Sequence, residues 1–266
     1  MTASQLLVTF EGDVTHITLN RPAKRNALTR GMLIELLDVL RTLPASTRLI
    51  VLRASGPVFC AGMDLQEMQD TARLPNAAEI WQQDSDLYRQ VLETLTFAPC
   101  PTLGVVQGPA LAGGVGLVLA CDLVLATDTA NFALPEPKRG IIAAMVLPLL
   151  VLRIGQSAAS WLLLSGQTLF LDAARRYGLV HQTATSATIE NDVTATINAV
   201  LTGAPAALRA TKQQLLKPIA ERLRSDWEDA EEASATARNQ PEAREGLQAF
   251  LERRAPKWVP DLHNSP

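Results

Sequence analysis

From Gln107 to Asp122 the chain reads QGPALAGGVGLVLACD, with four glycines and no charged side chain before its last residue. The tract follows an apolar, β-rich run (PTLGVVQGP) and leads into helical sequence, so it reads as a strand-to-helix joint where bare backbone can approach other groups. A second such joint, SGPVFCAGMDLQEM (Ser55–Met68), follows the strand-like RLIVLRAS. Around them the pattern alternates. QLLVTFEG and VTHITLNRP predict a hairpin turning at Glu11-Gly12-Asp13. LTRGMLIELLDVLRTL predicts a helix capped by Thr29 and closed by Pro44. NAAEIWQQDSDLYRQVLETLTF predicts a long helix, CDLVLATDTANFAL carries a strand, and MVLPLLVLRIG predicts a helix with an internal proline. This alternation argues an α/β domain of repeated ββα units.

The length of 266 residues and a hydrophobic content of 47% suit one large domain with a smaller appended piece. From about Ala187 the strand signal ends and NDVTATINAVLTG, PAALRATKQQLLKPIAERL and DWEDAEEASATARN read as helices. The expected division is a core over 1–186, a helical subdomain over 187–258 and a tail over 259–266. Short amphipathic helices of this kind often finish their burial against another subunit, so an oligomer is expected, the alternative being a helical cap folded on its own domain. A net charge of -3 without a basic stripe argues against nucleic acid. Three cysteines without C-x-x-C spacing fit neither a disulfide framework nor a zinc site, and suit a reducing cytoplasm. The N-terminal sequence lacks the basic-then-apolar pattern of a secretion signal. GIIAAMVLPLLVLRIG reads as a buried helix, too short to span a bilayer, so no membrane partner is expected.

Glycine-bearing joints on two neighbouring strands could each aim one backbone N–H at a single oxygen. Such an oxyanion hole suits a carbonyl that becomes an enolate. Neither joint is a phosphate loop or a dinucleotide fingerprint, because no Gly-Lys-Ser/Thr follows and the glycine spacing is wrong.

Five blocks in order carry a resemblance: LNRPAKRNAL (Leu19–Leu28), FCAGMDLQEM (Phe59–Met68), GPALAGGVGLVLACDLVLA (Gly108–Ala126), LPEPKRGI (Leu134–Ile141) and SGQTLFLDAARRYGLVHQ (Ser165–Gln182). The chain resembles the crotonase superfamily of enoyl-CoA hydratases and isomerases from about residue 5 to 258. That resemblance implies a crotonase (ClpP-like) α/β fold of stacked ββα units with a C-terminal helical subdomain, assembled as a homotrimer or a dimer of trimers. It implies an acyl-CoA thioester substrate and no separate cofactor, coenzyme A being part of the substrate. It gives the oxyanion hole to the N–H groups of Met63 and Gly113, and puts coenzyme A near Lys24, Arg25, Ala61, Asp64 and Leu65. Gln66 stands where the family usually has a lysine. Arg253 falls where a neighbouring subunit often supplies a cation.

Hydratases of this superfamily with two glutamates carry the first three residues past the oxyanion glycine, which is Gly116 here. The second corresponds to Glu136, whose proline and apolar neighbours should raise its pKa toward neutrality. Glycine at the first position also suggests room for a branch at C3 of the acyl chain. Glycine then glutamate, with LRATKQQLL and EGLQAFLERRAPKW, is similar to bacterial 3-methylglutaconyl-CoA and isohexenylglutaconyl-CoA hydratases of leucine and acyclic-terpene breakdown. The expected reaction is hydration of a 3-branched 2-enoyl-CoA by Glu136. The alternatives are a Δ3-Δ2 enoyl-CoA isomerase on the same glutamate, an acyl-CoA decarboxylase, or a non-catalytic acyl-CoA-binding protein.

Other residues carry less. His16, His181 and His263 lie beside no nucleophile motif. Cys60 and Cys121 read as buried small side chains, and Asp122 as a structural hydrogen-bonding group. Lys138 and Arg139 could meet a distal carboxylate or stand as surface charges. Trp81, Leu87 and Tyr88 lie on a helix that could border the acyl pocket, with core packing the default for such a face.

Overall fold

The computed structural model describes residues 4–260. β1 (Leu6–Glu11) and β2 (Val14–Leu19) form the expected hairpin, turning through Gly12 at a φ of 58°. α1 (Arg30–Arg41) starts where Thr29 Oγ1 accepts the Met32 N–H at 3.1 Å, and leads to β3 (Leu49–Ala54). α2 (Leu65–Ala72) and α3 (Ala77–Thr96) then precede β4 (Thr102–Val106), β5 (Ala110–Leu111) and α4 (Gly113–Leu119). β6 (Leu123–Thr127), β7 (Asn131–Ala133), α5 (Leu147–Ser165), β8 (Thr168–Phe170), α6 (Leu171–Arg176) and β9 (Gln182–Ala184) complete the strand-bearing part. Four helices follow: α7 (Ile189–Leu201), α8 (Pro205–Leu216), α9 (Ala220–Arg238) and α10 (Pro241–Leu251).

The main sheet runs β1-β2-β3-β4-β6-β9, parallel throughout except at β1. Its inner strands are continuous apolar runs because both of their faces are covered. A small second sheet, β5-β7-β8, stands beside it. The sequence CDLVLATDTANFAL, read as one strand, therefore supplies two strands in different sheets. The division comes at Thr127–Ala130, where the Ala130 N–H returns to Thr127 O at 3.0 Å and turns the chain.

α5 departs from expectation twice. Pro148 sits in its first turn, where a missing N–H leaves no bond unmade, so it starts the helix and does not interrupt it. The helix is also only half-buried: Leu149, Leu150 and Leu162 face the core while Leu147, Leu152, Trp161 and Leu164 are exposed. By length and composition it is the one described helix that could cross a membrane. Here it is broken at Gly155 (φ 76°, ψ 161°) and packs one side into the core.

The C-terminal helices share the main core. α9 lies along α3 and contributes Trp227, fully buried, whose Nε1 donates to Met145 O at 3.1 Å. α8 is tied down by Lys212, whose Nζ lies 2.7 Å from Asp122 Oδ2 and donates to Cys100 O. The same Asp122 oxygen accepts the Thr102 N–H and hydroxyl, the structural role expected of it. α10 lies on the short 3-10 turn Glu136–Arg139 with almost no gap. A Cβ at Gly140 would sit 2.3 Å from Glu242 O, and one at Gly246 would sit 2.2 Å from Arg139 O.

Candidate active site

The first loop is built by the sequence that precedes α1. Arg25 and Asn26 both take left-handed backbone, each at a φ of 52°. The fully buried Asn26 side chain donates to Ser55 O and Val58 O at 2.9 and 2.8 Å and accepts the Arg21 N–H at 2.8 Å, pinning the loop after β3. Leu28 then bridges the loop as a strand would. Its N–H goes to Gly62 O and its carbonyl accepts the Asp64 N–H, both at 2.8 Å. The Met63 N–H between them has no partner among the described residues.

The second N–H comes from the start of α4. Ala112 holds φ 51° and ψ -125°, a strained conformation for a residue with a side chain. Its own N–H is spent on Ala133 O at 2.8 Å, while the Gly113 N–H, at the open end of the helix, has no partner among the described residues. The two loops touch through backbone. A Cβ at Gly62 would lie 2.6 Å from Ala112 Cβ, and one at Gly114 would lie 2.6 Å from Cys60 O. Only glycine permits that approach. Met63 and Gly113 line one cavity of about 460 Å³.

Glu136 enters the same cavity from the 3-10 turn. It is buried, and its Oε2 has no hydrogen-bond partner among the described residues. Burial pushes its carboxyl up to about 7, although its own backbone N–H and the charges of Arg139 and Arg238 pull the other way. A carboxyl so tuned can both accept and return a proton near neutrality.

Gly116 is not open space. A Cβ there would sit 2.2 Å from the Tyr88 hydroxyl and 3.2 Å from Val146 Cγ2. Tyr88 lines the cavity and Gly116 does not. The room for a C3 branch that the glycine suggested is therefore taken by a phenol from α3, whose hydroxyl donates to Gly113 O. Core packing was the default for this helix face, and Tyr88 meets it, being part of the main core, while also lining the cavity. Burial holds its phenol well above the usual tyrosine range, so it stays neutral. Overpacking of this kind costs about 1–3 kcal/mol. Denaturant titration of Gly116→Ala should show a loss of that size, largely recovered in Gly116→Ala/Tyr88→Phe; an unshifted midpoint in the single variant would contradict the overlap.

Lys24, Arg25, Ala61, Asp64 and Leu65 all line the cavity. The Asp64 carboxylate is already engaged, capping α2 through the Gln66 and Glu67 N–H groups and pairing with Arg21 at 3.0 Å. Arg253 is exposed at a φ of 56° and is absent from the cavity wall. Of the two basic residues after Glu136, Lys138 donates to Gly166 O at 2.7 Å, whereas Arg139 lines the cavity. Arg238, which no motif singled out, lines it too. Trp81 borders a small adjoining hollow, and Leu87 packs against the core. His181 Nδ1 accepts the Val124 N–H at 2.9 Å, a structural role, and His16 lies 3.6 Å from Glu11. His263 lies outside the described residues. The Cys60 and Cys121 thiols are both pushed up to about 12 by burial, in keeping with inert packing.

Two unpaired N–H groups and a neutral-tuned carboxyl in one cavity are the parts needed to hold a thioester oxygen and move a proton. The sequence matches the model of the enoyl-CoA hydratase/isomerase family over residues 9–260. The chain belongs to this family. A Thermus thermophilus protein bearing an enoyl-CoA hydratase name is 36% identical over 250 residues, covering 93% of this chain and 98% of the relative. The 2,3-dehydroadipyl-CoA hydratase of Escherichia coli is 32% identical over 258 residues, covering 96% and 98%. A crystal structure of an enoyl-CoA hydratase from Mycobacterium avium superposes with a TM-score of 0.86 at 29% identity, covering 97% of this chain and all of that one. The fold of this family member is accordingly the crotonase α/β fold, and its chemistry that of enoyl-CoA thioesters.

Proposed function

We propose that this enoyl-CoA hydratase/isomerase family member hydrates the C2=C3 bond of a 2-enoyl-CoA, with Glu136 as its single acid–base group. The observation that carries the reading is the buried Glu136 carboxyl, unpartnered at Oε2, in the same cavity as the Met63 and Gly113 N–H groups. In the ionised form Glu136 takes a proton from water as the water oxygen bonds to C3. The C2=C3 electron pair moves toward the thioester, and the enolate oxygen is held by the two N–H groups. Glu136 then returns its proton to C2. The Tyr88 hydroxyl, its hydrogen committed to Gly113 O, keeps a lone pair that can orient the water.

The acyl group proposed is a 3-branched glutaconyl type, as in 3-methylglutaconyl-CoA or isohexenylglutaconyl-CoA. Glycine at 116 with glutamate at 136, and the C-terminal sequence, support it. Space for the branch is offered by Ala143 and Ala144, which line the cavity, and not by Gly116. Lys24 and Arg25 are proposed to meet the coenzyme A phosphates. We propose further that the chain assembles as a trimer or a pair of trimers. The exposed Leu147, Leu152, Trp161 and Leu164 of α5 support association.

The test is turnover of crotonyl-CoA, 3-methylglutaconyl-CoA and a 3-enoyl-CoA in H₂¹⁸O, read by mass spectrometry. Hydration gives ¹⁸O in the product, with the branched substrate preferred. A shifted double bond without ¹⁸O would make the chain an isomerase.

A further inference from the structure

Two guanidinium groups in the cavity wall are withdrawn from water without a counter-ion, whereas the third, Arg25, is exposed. Arg139 and Arg238 are each half-buried, and neither has a side-chain hydrogen bond or an ion pair among the described residues. Several other half-buried arginines in this chain are partnered: Arg21 holds Asp64, Arg30 holds Asp84, Arg48 holds Asp13, Arg89 holds Glu231, and Arg153 donates to Leu119 O and Cys121 O. The acids nearest the unpaired two do not serve them. Asp84 acts on Arg238 only through space, since both of its oxygens are bound by Arg30 at 2.6 and 2.9 Å. Glu136 likewise acts on both only through space and makes no ion pair with either among the described residues. Arg139 lies over the Phe250 ring, 3.4 Å from its centre, which fixes the group without satisfying its N–H donors.

A second observation lies beside them. Arg139 and Arg238 also border a hollow of about 30 Å³, lined further by Met68, Ile141, Trp81 and the exposed Arg244. Trp81 is buried, and its Nε1 has no hydrogen-bond partner among the described residues. Buried donors without acceptors are uncommon and costly in folded proteins. The two half-buried guanidinium groups form a donor set suited to a planar anion, which arginine binds in bidentate fashion, and the unpaired indole N–H belongs to a side chain on the hollow beside them.

We infer that Arg139 and Arg238 form a subsite for a carboxylate at the far end of the acyl chain, making the preferred substrate a thioester of an unsaturated dicarboxylic acid. The subsite deepens the function proposed above and rests on it for the placement of the thioester at Met63 and Gly113. Arg139 and Arg238 serve here as specificity residues, since the bond-making atoms belong to Glu136 and the oxyanion hole. A coenzyme A phosphate is the other source of an anion within this cavity.

The test compares glutaconyl-CoA, which ends in a carboxylate, with crotonyl-CoA, which does not, in the full-length protein and in Arg238→Met, Arg139→Met and Arg238→Lys. Loss of a hydrogen bond to a charged group is worth roughly a 10- to 100-fold change in kcat/KM. The expected result is that each methionine variant loses at least tenfold more kcat/KM on glutaconyl-CoA than on crotonyl-CoA, mainly through KM, with Arg238→Lys between. Equal losses on both thioesters would assign the arginines to the coenzyme A phosphates or to the fold, and overturn the subsite. So would unchanged kinetics on both, or a wild type that prefers crotonyl-CoA. If Arg238→Met fails to fold, the ratio in Arg139→Met and Arg238→Lys decides. The two proposals fail separately: a product without ¹⁸O removes hydration but leaves an arginine-dependent preference standing, whereas ¹⁸O incorporation without that preference removes only the subsite.

Discussion

Replacing Glu136 by Gln should lower kcat for hydration by roughly 10²–10⁴-fold, the usual contribution of a positioned proton-transfer group. The amide keeps the side chain's size and can still fill the buried site, so KM and thermal stability should change little. Wild-type rates carry a second signature. Burial disfavours the charged carboxylate and raises its pKa to about 7. The form that takes a proton from water is the ionised one. Below that pKa, kcat/KM should fall about tenfold per pH unit, and above it the profile should level off. The folded protein also keeps a proton there that the unfolded chain loses at its ordinary carboxyl pKa. This contribution makes the native state less stable as pH rises from about 4.5 to about 7. A pH–rate profile flat from 5 to 8, or a Glu136→Gln variant within threefold of wild type, would remove Glu136 from the chemistry.

Gly62→Ala should cost about 10²–10³-fold in kcat, the usual consequence of losing one donor of an oxyanion hole. Gly62 adopts a φ of 86°, where an L side chain is strained. Its added Cβ would lie 2.6 Å from Ala112 Cβ, 3.1 Å from Leu111 O and 3.4 Å from the Gly113 nitrogen. Residues 62 and 112 directly precede the two proposed oxyanion donors, so parting the loops would move the Met63 and Gly113 N–H groups off the common oxygen proposed for them. The signature is a fall in kcat larger than any rise in KM, with a folded circular-dichroism spectrum. If Gly62→Ala lost stability but kept its kcat, the contact between the loops would be structural only.

Much of the fold and part of the site can be read from the chain. The hairpin, the Thr29 cap, the apolar central strands and the helical C-terminus follow from local pattern and turn chemistry. Where reading failed, tertiary contacts overrode local sequence. One apolar run became β6 and β7 in separate sheets, and α5 left an apolar side uncovered in the single chain. The two glycine-bearing loops and Glu136 could be singled out in the sequence, but chiefly through the family resemblance, since glycine at a strand-to-helix joint and an acid between prolines are weak marks when read alone. Arg238 left none. It is one arginine near the end of an acidic helix, and only the packing of α9 against α3 brings it to a cavity wall more than a hundred residues from Glu136.

The sequence by itself determined the chemistry on offer: backbone N–H groups at two glycine-bearing joints, one glutamate in apolar surroundings, and no acid at position 116. What stands in that acid's place was decided by the tertiary structure alone. Gly116 reads as a vacancy along the chain, yet α3 crosses α4 there and fills it with the Tyr88 hydroxyl. Which arginines lack a partner was decided in the same way. The charge of a side chain is written in its residue, but its counter-ion is whatever the fold brings within about 4 Å.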